Sequence, residues 1–185
     1  MKRSGNPFVD MGLCTIAALG EKDSIDEISI EDMEEIFNKY DIASANGMLK
    51  SFTMVFTNNT VLGQTAYKAH RIEMYRDLLI AFLKSIREMN GNKNKFICEI
   101  CGQSHDFDIN DIWNDIVTKY GYEPKENKVL GRDFFPLIGS LGNDAQALPS
   151  ASIAVNICPL YLFAVNYIPL GTMLMKGRLI CVEST

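Results

Sequence analysis

Phe96-Ile97-Cys98-Glu99-Ile100-Cys101-Gly102 is a C-x-x-C knuckle with a glycine directly behind its second cysteine. Two thiolates at this spacing can turn toward one tetrahedral ion, and the glycine supplies the unusual backbone angles of the tight turn. A structural site needs four ligands, so further donors must come from elsewhere in the chain. The best second group is Cys158-Pro159-Leu160-Tyr161, which has the layout of a knuckle opening a helix but ends in tyrosine where a ligand is needed. Convergence of Cys98 and Cys101 on Cys158 would tie the chain together at its middle.

Around that knuckle, composition sets the bounds. The chain has 185 residues, 47% apolar and 22% charged, which suits a soluble globular protein of one domain, or a domain plus a subdomain, with a sizeable core and argues against disorder. No apolar run reaches the roughly 18 residues of a membrane span, so no membrane partner is expected. The stretch from Ile153 to Leu174 is broken by Asn156, Pro159, Asn166, Pro169 and Gly171, and reads as core. Met1-Lys2-Arg3-Ser4-Gly5-Asn6-Pro7 carries two basic residues with no apolar stretch behind them, so no secretory signal is expected. Five cysteines, two of them in C-x-x-C spacing, point to metal or free thiols in a reducing, cytoplasmic setting. A net charge of -5 gives no global support for nucleic-acid binding, which would have to use local basic patches.

Periodicity supplies the elements. A glycine-punctuated start at Gly5-Asn6-Pro7 leads into a helix through Leu13, Ile16, Ala17 and Leu19. Ser29, with Asp32 three residues on, caps a helix whose buried stripe is Ile30, Met33, Ile36, Phe37 and Tyr40. Phe52, Met54 and Phe56 alternate with Thr53 and Val55, which predicts a strand over 48–56. Ile72, Tyr75, Leu79, Phe82, Ile86 and Met89 recur at helical spacing and predict a long helix over 65–89, stopped by Asn90-Gly91-Asn92. Asp108 opens a helix through Trp113 to Tyr120, Pro159 fits the first position of another, and Leu179 to Val182 reads as a strand. Residues 139–149 read as an ordered irregular loop. The expected fold is α+β: helices with a small mixed sheet around a zinc-ribbon or treble-clef-like knuckle pair. Residues 1–95 form an N-terminal α+β region, and 96–185 a knuckle-containing region packed on it as one compact unit.

The chemistry to be weighed is narrow. The metal reading draws on Cys98, Cys101 and Cys158, with zinc as the natural ion and His105, water or Asp106 as the fourth ligand. The plainer alternative is a degenerate knuckle held by packing and hydrogen bonds. A redox C-x-x-C lacks the preceding βαβ context. His70 and His105 sit in no recognisable nucleophile arrangement, and no phosphate loop, dinucleotide fingerprint or H-E-x-x-H helix occurs, so enzyme chemistry is not visible. Amide-bearing segments beside aromatics, at Asn6, Asn58, Asn59 and Asn143 to Gln146, are candidate nucleic-acid contacts, since amides read base edges and aromatics stack on unpaired bases. Against this, such residues commonly hydrogen-bond their own turns. Lys68, Arg71, Arg76, Lys84 and Arg87 add positive charge to the long helix, most simply as a solvated face.

Several motifs occur in a telling order: Ser4-Gly5-Asn6-Pro7-Phe8-Val9-Asp10, the C-x-x-C, Arg132-Asp133-Phe134-Phe135-Pro136-Leu137-Ile138-Gly139-Ser140, Gly142-Asn143-Asp144-Ala145-Gln146-Ala147-Leu148-Pro149, and Cys158-Pro159-Leu160. Together they resemble the N-terminal portion of the CXXC–CXXC family of CRISPR-associated proteins, the large subunits of type I-B Cascade complexes. The resemblance runs from about Ser4 to Val182. It implies a non-enzymatic role in RNA-guided antiviral defence: binding the crRNA 5′ end, recognising the PAM, helping to open target DNA and recruiting the helicase-nuclease beside other Cascade subunits. The chain departs from the family at Tyr161, which replaces the last cysteine of the second knuckle, and in length, since family members are usually much longer. The competing expectation is a zinc-pinned protein-interaction scaffold that never touches nucleic acid.

Overall fold

A computed structural model describes residues 1–56, 60–89, 95–124, 126, 128–136, 155–176 and 178–180. Seven α-helices and two short hairpins lie among them: α1 (Pro7–Leu19), α2 (Ile30–Lys39), α3 (Ile42–Met48), α4 (Lys50–Val55), α5 (Arg71–Glu88), β1 (Phe96–Ile97), β2 (Ser104–His105), α6 (Ile109–Lys119), α7 (Pro159–Val165), β3 (Met173–Met175) and β4 (Arg178–Ile180). The α+β class holds, with helices dominant. In place of one mixed sheet there are two separate antiparallel pairs, β1 with β2 and β3 with β4.

The first helix begins where the sequence places its corner. Asn6 is the cap: its Oδ1 accepts from the backbone N–H of Phe8 at 3.1 Å and Val9 at 3.3 Å, and Pro7 follows at a position that needs no donor. At α2 the Ser29–Asp32 capping box is complete, with Ser29 N–H donating to Asp32 at 2.8 Å and Asp32 N–H to Ser29 Oγ at 3.1 Å. Lys22 joins Asp32 from outside at 2.9 Å.

Two expectations require correction. The segment expected as a strand over 48–56 instead contains α4, because Phe52, Val55 and Phe56 also satisfy the i, i+3, i+4 spacing of a helix face. All three are buried, with the Phe52 ring 5.1 Å from Phe56 and 5.7 Å from Tyr75. The long helix starts at Arg71 and not at residue 65. Ahead of it, Val61–Gly63 and Thr65–Tyr67 close as 3-10 turns. The Arg71 guanidinium donates to the carbonyls of Gly63 and Gln64, at 3.3 and 2.7 Å, and so spends its charge holding those turns to the helix start. Tyr67 packs edge-on against Trp113 of α6 at 5.4 Å. The expected stop at Asn90-Gly91-Asn92 lies outside the described residues, as does the expected loop at 139–149.

At the centre is α7. Six of its seven residues are buried, and it packs against both α1 and α5, so the second half of the chain fills the middle of the first. Its crossing with α1 is backbone-close: a Cβ on Gly12 would overlap the carbonyl group of Ala164. One polar cluster pierces this core. Asn46 Nδ2 donates to Tyr75 Oη and to the Asn166 carbonyl, both at 2.8 Å, and the Tyr75 hydroxyl donates to Asn166 Oδ1 at 2.7 Å. Burial pushes the Tyr75 phenol well above its usual range, so it stays a neutral donor. No described helix is long and apolar enough to cross a membrane.

Gly12→Ala is expected to cost roughly 1–3 kcal/mol, as overpacking does, read as a lower urea midpoint at unchanged slope. A second expectation concerns acid. The backbone N–H of Ser29, Lys22 and the Ser29 hydroxyl hold the Asp32 carboxyl down at about 2 from its ordinary 3.8. A carboxylate more acidic in the folded than in the unfolded chain stabilises the fold above pH 4, and that contribution fades as pH falls toward 2. Asp32→Asn should flatten the loss of stability over that interval in acid titration followed by circular dichroism.

Candidate metal centre

Three segments build the site. Strand β1 delivers Cys98 into a turn, where Cys98 N–H donates to the Gln103 carbonyl and Gly102 N–H to the Cys98 carbonyl, both at 2.8 Å. Gly102 adopts φ +71°, the left-handed conformation that lets the chain double back into β2. From the far side comes 155–158. Glu99 N–H donates to the Asn156 carbonyl at 2.9 Å, and one Glu99 carboxylate oxygen accepts from the N–H groups of Val155 and Asn156, both at 3.2 Å. These bonds lay the second segment against the knuckle and bring up Cys158 at the start of α7.

The sulfurs of Cys98, Cys101 and Cys158 lie within 4.8 Å of one another. Thiolates bound at ~2.3 Å to a tetrahedral zinc stand about 3.8 Å apart, so this spacing needs little adjustment to surround an ion. Cys158 N–H also donates to Cys98 Sγ at 3.4 Å, a bond that favours the thiolate. The Cys101 and Cys158 thiols and that amide together hold the Cys98 thiol far below the usual cysteine range, while burial opposes them. The same partnership, with burial, pushes the Cys158 thiol up. Three sulfurs this close can hold a metal ion, and the donor set fits a thiophilic one.

Among the described residues no further histidine, cysteine or carboxylate joins the three sulfurs. His105 does not join the cluster of mutually close donors; it pairs with Phe96 across the β1–β2 hairpin and packs between aromatic rings. Tyr161 is buried on the first turn of α7 with its backbone N–H donating to the Cys158 carbonyl at 3.1 Å. Burial, and then the neighbouring Cys101 and Cys158 sulfurs, raise its phenol well above the ordinary range, so it stands beside the site as a neutral hydroxyl.

Of the expected nucleic-acid contacts, Asn6 alone is among the described residues. Asn6 is 3% exposed and its oxygen caps α1, so its amide serves its own turn and presents no surface to a base. Asn58, Asn59, Asn143 and Gln146 lie outside the described residues. On the long helix, Arg76 pairs with Asp41 at 2.7 Å and Arg87 with Glu34 at 2.6 Å, which joins Arg71 as internally engaged charge. His70 meets the Tyr122 hydroxyl at 3.0 Å. Sequence reasoning missed Glu99 altogether. As the residue between the two cysteines it gave no signal, because its partners lie in a segment far along the chain.

No family model, curated protein or solved structure matches the chain.

Purified protein is expected to carry about one ion per chain by plasma emission spectroscopy. Cys158→Ser should lower affinity by at least about tenfold in chelator competition, because one of three anionic donors is lost. Tyr161→Cys should raise it by completing four thiolates.

Proposed function

We propose that this chain is a metal-pinned, non-catalytic subunit of a CRISPR type I-B surveillance complex, corresponding to the N-terminal portion of its large subunit. The observation that carries this reading is the meeting of Cys98 and Cys101 with Cys158 at one point, where the family that the sequence resembles has its two knuckles. The ordered motifs from Ser4 to Cys158 support it. On this reading the ion is zinc, the hairpin and helix start around it form a treble-clef-like unit, and the compartment is cytoplasmic. Zinc suits the role because it has no redox chemistry and needs no fixed d-electron geometry, so it serves as a clamp. The partners are the other Cascade subunits, crRNA, target DNA and the helicase-nuclease. Contacts to PAM or crRNA fall to Asn58, Asn59, Asn143 and Gln146, without Asn6. The chain itself does no chemistry; sequence is read by pairing of the guide.

A second reading, a scaffold that binds only protein subunits, is favoured by the net charge of -5 and by the internal pairing of Arg71, Arg76 and Arg87. A gel-shift series at low salt, where phosphate contacts are strongest, separates the two. The surveillance reading expects a shift with crRNA or PAM-bearing duplex that weakens as salt rises. Binding to backbone subunits with no shift of either nucleic acid would leave the scaffold.

A further inference from the structure

Tyr161 stands where a second knuckle would place the fourth donor to an ion held by Cys98, Cys101 and Cys158. It follows Cys158 by three residues, the spacing by which Cys101 follows Cys98, and lies on the first turn of α7. Its hydroxyl is a hydrogen-bonding neighbour of the Cys101 sulfur, so the side chain does reach the cluster. A phenol, however, is outside the cysteine, histidine and carboxylate set from which protein zinc sites are built. Among the described residues the group of mutually close donors ends at the three sulfurs. Closed structural zinc sites have four protein ligands, whereas sites with an exchangeable position have three.

The surroundings show from which side an outside donor arrives. Cys98 and Cys158 are each 1% exposed, and Tyr161 is buried beside them. Cys101 is only half-buried, and the two residues after it, Gly102 and Gln103, are exposed. A Cβ on Gly102 would meet no atom within 4 Å, so open space adjoins the turn that carries Cys101. Approach to the sulfurs is therefore past Cys101.

The donor set specifies what arrives. Three sulfurs select a thiophilic ion, and such an ion favours another soft donor over a carboxylate or water. We propose that the fourth position of this metal centre is an exchangeable site for an external thiolate, from a small free thiol or from a cysteine of a second copy of this chain. The thiol proton goes to solvent and a sulfur lone pair makes the metal–sulfur bond. No electron is transferred, so no oxidant or reductant is needed. The proposal rests on the metal reading given above and adds what completes the ligand set.

Cobalt(II) stands in for zinc and reports its sulfur ligands through charge-transfer absorption. The whole chain is loaded with cobalt in phosphine-reduced, thiol-free buffer and titrated with glutathione. S-methylglutathione, which lacks a thiol, is the control. A saturable rise of about one third in sulfur-to-cobalt absorption is expected with glutathione, as three sulfurs become four, and none with the control. Tyr161→Cys, which carries its own fourth sulfur, should start at the higher level and ignore glutathione. The wild-type titration decides the matter alone if that variant does not fold. A four-sulfur spectrum that grows with protein concentration in thiol-free buffer assigns the fourth sulfur to a second copy. The same spectrum at every protein concentration means that the chain closes the site itself, and overturns the proposal. A three-sulfur spectrum that neither glutathione nor protein concentration moves also overturns it, while the metal reading stands. Failure to take up cobalt overturns both.

Discussion

The Cys158 amide meets the Cys98 sulfur across a separation of 60 residues, and the described architecture turns on that junction. Closing so long a loop costs conformational entropy that one hydrogen bond cannot offset. The junction is instead reinforced by neighbours: the Glu99 carboxylate on two backbone N–H groups, the Glu99 amide on Asn156, and three sulfurs close enough to share an ion. Metal affinity of this kind appears as folding free energy, because the ligands are not assembled in the unfolded chain. Placing α7 between α1 and α5 is thus linked to assembling the cysteine cluster, since Cys158 caps the helix whose burial fills the core.

Burial of α7 is nearly all-round, which is unusual for a helix of seven residues and leaves no polar face to fix its rotation. The Asn46–Tyr75–Asn166 cluster supplies that definition. Each hydrogen bond there joins a different element, and breaking one strands a buried partner at a cost of about 1–3 kcal/mol. Greasy packing drives α7 inward, and these bonds favour one register over a slide along the α1 and α5 surfaces. Where the backbones come closest, Gly12 removes the side chain that would hold α1 away from Ala164.

Much of this was legible in the residues. Ser29 with Asp32, Asp108 before an apolar stripe, and Pro159 behind Cys158 each announce a helix start through local chemistry, and each helix begins there. The meeting of Cys98, Cys101 and Cys158 was legible as well, since thiols in knuckle spacing have few other uses. Ambiguity entered where a short apolar run fits two periods: Phe52, Val55 and Phe56 obey the helical one, and burial against Tyr75 makes that outcome pay off in packing. Asn6 beside Pro7 carried a cap signature that its flanking motif obscured. Glu99 was beyond local reading, because its partners Val155 and Asn156 are brought near it by folding alone.

The central position of α7 also has a consequence for biosynthesis. Ribosomes deliver chains from the N-terminus, so the apolar faces of α1 and α5 emerge well before Pro159–Val165 can cover them. During that interval the nascent polypeptide carries an uncovered hydrophobic trough, the kind of surface that holdase chaperones engage. Closure of this core therefore waits on the arrival of one short segment.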